Sequence, residues 1–201
     1  MRMATLMALC AVGMLGCSDS TDIDPTPPDK DPGDPTDPAD GRRLSRLTAD
    51  QFHRSLQVAT GQTWSQFENF AATLGRADFV EINDEGRDLS ITFDKLVHDA
   101  ARETCKEAVN ADVLAIPAPG VILARATVAD RGTPELAANL QYMLLRFFGQ
   151  KVTDAADARL LPWLELLTHD DGTGPITDET MAERWKAVCI GFVTHPDFVT
   201  Y

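Results

Sequence analysis

Residues 18–41 read SDSTDIDPTPPDKDPGDPTDPADG, with eight aspartates, one lysine and six of the twelve prolines of the chain. This stretch has almost nothing to bury. Proline removes backbone donors and holds the chain near polyproline II, and like-charged carboxylates repel, so the segment is predicted to be an extended, disordered tether. At about 3.1 Å per residue it would reach on the order of 70 Å. Any fold must therefore be built from the 160 residues that follow, 42–201. A chain of that length can withdraw around 70 % of its unfolded surface into a single core. Asp22, Asp24, Asp29 and Asp31 approach the spacing of an acidic calcium loop, but the glycine turn and the closing glutamate are missing in register. The segment reads as a spacer.

The same division explains the charge. The net charge is −13, of which the tether carries −7 and residues 42–201, with 16 basic and 23 acidic side chains, carry another −7; Arg2 supplies the difference. A protein that binds a nucleic-acid backbone needs a basic face, so the acidic excess argues against that class.

Ahead of the tether, Met1-Arg2-Met3 is a short basic start and residues 4–15 are apolar. The run is shorter than the roughly 20 residues of a spanning helix and fits the n- and h-regions of a secretory signal. It ends at Met14-Leu15-Gly16-Cys17. A small residue directly before a cysteine at this place resembles the lipobox of bacterial lipoproteins, although Met14 stands where that family usually has leucine. The resemblance implies a signal peptide over 1–16, a diacylglyceryl group on the Cys17 thiol and an acylated, palmitate-type new N-terminus. Cys10, behind the bulky Leu9, is a poorer candidate. One acyl chain holds a protein only marginally, whereas two or more anchor it durably. Ser18 follows the cysteine where aspartate would retain an enteric lipoprotein in the inner membrane, so the outer membrane is favoured, with the domain in the periplasm or on the cell surface.

The remainder reads as helices. Thr48-Ala49-Asp50-Gln51 is a capping box opening a helix through Phe52, Leu56 and Val58, stopped at Gly61. A second, short helix is predicted over 65–74, and residues 75–89 look like a loop. Ser90 caps a long helix whose apolar positions, Phe93, Leu96, Val97, Ala100, Ala101, Cys105, Ala108 and Val109, recur at three and four. Prolines 117 and 119 then break the chain, and Val121-Ile122-Leu123 is apolar but ambiguous. Thr133-Pro134 opens a further helix ended by Gly149. Thr153 is predicted to cap the next one, kinked at Pro162. The last begins at Thr177, with Ile176 able to staple onto Met181, and stops at His195-Pro196. No run alternates as a strand would, so the predicted fold is all-α, a compact bundle of about five to seven helices.

Arg42-Arg43-Leu44-Ser45-Arg46-Leu47-Thr48 with Gln51-Phe52, Arg146-Phe147-Phe148-Gly149 before Thr153-Asp154, and the ending Arg184-Trp185 through His195-Pro196-Asp197-Phe198 form a loose pattern. It resembles helical domains of unknown function in exported proteins of planctomycetes and myxobacteria. The resemblance implies a helical fold and an exported setting. Relatives of that kind can carry c-type haem segments, but this chain has no Cys-x-x-Cys-His.

Cys105 and Cys189 lie on apolar helix faces in a chain expected to be exported, and a disulfide between them is favoured over two buried thiols. It would close a loop of about 85 residues, for which chain entropy gives about 4–5 kcal/mol. Of the four histidines, His98 falls on a solvated face between Asp94 and Arg102. His169, Asp170 and Asp171 form the most site-like cluster, in a turn rich in glycine. As a calcium loop it lacks the opening aspartate and closing glutamate, and an interhelical turn is the plainer reading. No nucleophile elbow, phosphate loop or zinc motif occurs. Trp64, Trp163 and Trp185 suit a core at their helical spacing better than a sugar groove. The sequence thus predicts no catalytic, cofactor or metal site. It points to a lipid-anchored accessory or interaction module that meets the membrane through Cys17 and a second exported protein through its domain. The competing expectation is an extracytoplasmic enzyme or ligand-binding domain acting on envelope or extracellular polymers, with the 169–171 loop in its site.

Overall fold

The computed structural model describes residues 45–77, 90–115, 120–170, 172 and 174–201. The predicted signal, Cys17, the predicted tether, most of the 75–89 loop, both helix-breaking prolines and Asp171 lie outside these. Among the described residues there are seven helices and no strand: α1 (Ala49–Thr60), α2 (Phe67–Phe70), α3 (Ile91–Leu114), α4 (Thr133–Phe148), α5 (Leu161–Thr168), α6 (Asp178–Thr194) and α7 (Pro196–Val199). None is long and apolar enough to cross a membrane.

The helix starts follow from local chemistry. At α1 the Thr48 hydroxyl accepts from the Gln51 amide at 3.3 Å while the Gln51 side chain accepts from the Thr48 amide at 3.0 Å, a complete capping box. Ser90 and Thr177 cap α3 and α6 through the amides three residues on. Gly149 ends α4 in the left-handed region, at φ 66°, where a β-carbon would be strained.

α3 and α6 form the principal helix pair. Their facing stripes, Phe93 to Val109 and Met181 to Val193, are buried. Cys105 and Cys189, both fully buried, are bonded across this interface with an S–S distance of 2.02 Å and a Cα separation of 5.7 Å. α1 packs on α3, α5 on α4 and α6, and α7 on α4 and α6. Phe147, Phe148 and Trp163 gather around Phe192, with ring centroids 5.4, 5.0 and 4.5 Å away. Trp64 and Trp185 are core residues and Trp163 packs partly buried against the core.

Two expectations need revision. The predicted helix from Thr153 begins only at Leu161. The side chains of Asp154 and Asp157 accept from the amides two residues ahead, Ala156 and Arg159, which favours turns over a helix. Pro162 consequently sits in a first turn, where no amide is needed, instead of kinking a longer helix. The second helix shrinks to Phe67–Phe70, followed by turns to Gly75 at φ 86°. The tail packs inward: Phe198 is buried, and Leu47 and Tyr201 pair by backbone hydrogen bonds with Val199 and Ser45. The first and last described segments of the domain are thereby tied together.

Candidate functional site

His169 closes α5, its amide donating to the Glu165 carbonyl at 2.8 Å. Arg184 reaches over from α6 and donates to the carbonyls of Leu167 at 2.7 Å and His169 at 2.6 Å. These contacts satisfy carbonyls that the end of a helix leaves open. Pro162, Glu165, Leu166, His169 and Arg184 together line an open groove of about 480 Å³. Asp170 accepts the Gly172 amide at 2.9 Å and does not line the groove. The structure therefore brings His169 beside Glu165, one helical turn earlier, and does not bring Asp170 into the same hydrogen-bonded set.

The groove offers a carboxylate and an imidazole, both exposed, with an apolar floor from Pro162 and Leu166. Acid–base chemistry would further require a donor aimed at developing charge. Among the described residues the one cation lining the groove is Arg184, and its guanidinium is engaged with two backbone carbonyls. Neither His195 nor a described tryptophan lines it. Among the described residues no group of three or more His, Cys, Asp or Glu side chains is placed to hold a metal ion. The arrangement suits shallow polar and apolar contact.

The other histidines lie apart. His98 faces solvent with Asp94 3.9 Å away. His195 caps α7, its Nδ1 accepting from the Asp197 amide at 3.1 Å, and its ring leans on Phe148. Arg159 grips Asp157 through Nε and Nη2, at 2.9 and 2.7 Å. Those hydrogen bonds draw the Asp157 carboxyl down to about 2 from its ordinary 3.8.

The best-built polar cluster was not evident from sequence motifs. Asp112 of α3, almost fully buried, accepts three consecutive backbone amides, from Val121 at 2.8 Å, Ile122 at 2.6 Å and Leu123 at 2.8 Å. Asn139 of α4, fully buried, donates to the Ile122 carbonyl at 2.9 Å and accepts from the Arg125 amide at 2.8 Å. Tyr142 donates to the Val121 carbonyl at 3.1 Å. These three side chains hold the 121–125 segment, apolar through Ala124 and with no ladder or helix of its own, against the core. Sequence did carry a signal for two of them. Asp112 continues the spacing Cys105, Ala108, Val109, and Asn139 falls between Leu136, Leu140 and Met143, so each is a polar residue on a buried stripe.

Other arginines act the same way. Arg146 of α4 donates to the carbonyls of Ala59 and Val58, both at 2.7 Å, closing the C-terminal end of α1. Arg46, buried, lies over the Phe93 ring at 4.2 Å and donates to Leu74 at 3.0 Å. Arg131 joins Val128 and Ile176 to Asp178 at the start of α6. Arg46, Arg146 and Arg184 thus have structural employment in this chain. Compared with known proteins, the chain matches no family model, no curated protein and no solved structure.

Proposed function

We propose that this protein is a cell-envelope lipoprotein whose helical domain works as a non-catalytic accessory or interaction module for another exported protein. In this reading acyl chains on Cys17 supply the anchor, residues 18–41 the spacer and residues 42–201 the working domain. The observation that carries it is the buried Cys105–Cys189 bond at the α3–α6 interface. Structural disulfides persist in oxidising, extracytoplasmic compartments, which agrees with a signal-like apolar run ending at Gly16-Cys17. The module reading is supported by where the polar side chains point: Asp112, Asn139, Arg131, Arg146 and Arg184 all brace backbone.

Photo-crosslinking tests it. A crosslinker replacing Leu161 or Leu166, exposed at 55 % and 39 % beside the α5–α6 groove, is introduced into the full chain expressed in its own cell envelope. A discrete adduct with an exported protein is the expected result. Absence of any adduct, together with turnover of an envelope polymer that is lost in Glu165→Gln and His169→Gln, would establish the enzyme reading instead.

A further inference from the structure

Among the described residues, two buried side-chain nitrogens have no hydrogen-bond partner: Trp185 Nε1 and His53 Nδ1. Only the second can change its charge. His53 lies on α1 with its ring stacked on Phe67 of α2, centroids 3.8 Å apart and planes within 12°. Phe67 is itself buried, beside buried Trp64, whose indole stacks on Phe70 at 5.9 Å. Arg76, in the turn after α2, lies 5.5 Å from the Phe67 ring and pairs with Asp50 of α1 at 3.3 Å and Glu68 of α2 at 2.9 Å. One imidazole thus joins two elements at a corner where α2 is only four residues long.

We propose that His53 is an acid-responsive latch, which when neutral seals α2 against α1 and when protonated releases the α2 turn and uncovers Phe67 and Trp64. A neutral imidazole protonated on Nε2 leaves only a lone pair at the buried Nδ1, a small cost. Protonation puts an N–H donor there with no acceptor and places a full charge in a partly desolvated ring. The charged groups acting on the ring are Asp50, Glu68 and Arg76. The two carboxylates, and the Phe67 face, favour the imidazolium. Burial acts against it more strongly, with a contribution from Arg76, and holds His53 below its ordinary value of 6.5. The sign follows from linkage. The folded state binds the proton less readily than the unfolded one, so this corner is fully stable above pH 6.5 and loses stability as pH falls from 6.5 toward the depressed value. The latch is independent of the anchor; an envelope setting would expose it to external acidity.

Hydrogen exchange of the full chain at pH 7.5 and 5.5, corrected for intrinsic exchange, tests the device. Acid is expected to lower protection in peptides covering 49–77 while the disulfide-joined helices α3 and α6 keep theirs, and His53→Phe, which can still stack, is expected to abolish the loss. An unchanged wild-type corner, or the same loss in His53→Phe, would overturn the proposal. Direct titration of the wild-type imidazole by NMR decides the matter should the variant not fold: a His53 midpoint below 6.5 supports the latch, and one at or above 6.5 overturns it.

Discussion

Asp112 shows how much one side chain can determine in a helical domain. Its carboxylate receives three backbone amides from a segment with no regular structure, so its removal strands buried donors. Hydrogen bonds to charged groups contribute about 1.5–3 kcal/mol net when measured singly and do not simply add, and Asp112→Ala is expected to cost on the order of 3 kcal/mol in urea denaturation. The neutral substitution Asp112→Asn should cost less, since the amide keeps one acceptor oxygen. Gly120 provides a second test of the clamp. A β-carbon there would collide with the Asp112 carboxyl group, so Gly120→Ala must displace the carboxylate from its partners. It is expected to lower stability as Asp112→Ala does, and the double variant should cost little more than either alone. Little of this was legible beforehand. Single polar residues on apolar stripes can be found in the sequence, but their partners, 9–17 residues away along the chain, are set by tertiary packing.

At the scale of elements, sequence foretold best where the chemistry is local. The Thr48/Gln51 box, the caps Ser90 and Thr177 and the stop at Gly149 all depend on neighbours within four residues, and each helix they bound is present. The helix expected from Thr153 does not form there because the Asp154 and Asp157 side chains take up nearby amides in turns. α7 was missed because four residues carry no period; His195, expected only to stop α6, also caps the next helix. The end of α1 depends on a remote partner. Its last carbonyls are served by Arg146, 87 and 88 residues away. Arg146→Met retains most of the aliphatic stem and removes both donors. It should destabilise the domain by about 1–2 kcal/mol, with faster amide exchange concentrated in the last turn of α1.

For the whole molecule, the Cys105–Cys189 bond ties the two helices that form the principal pair, and it spans 84 residues. Replacing both cysteines with alanine should lower stability by as much as about 4–5 kcal/mol on the chain-entropy argument, read as a fall in the denaturation midpoint. The same loss is expected when the protein is made where thiols stay reduced. The architecture of a helical domain behind an Asp/Pro segment was legible because amphipathic period and composition carry it. The site was not, since the 169–171 loop stood out for residue type alone, and the structure gives its histidine a shallow groove lined by an arginine already in use. In the proposed function, lipid on Cys17 holds this domain at the envelope. Metabolic labelling with a palmitate analogue, comparing wild type with Cys17→Ala, tests it directly. Label that enters the wild-type protein, fractionates with membranes and disappears in Cys17→Ala is the expected result; wild-type protein that is exported, unlabelled and released like the variant would contradict it.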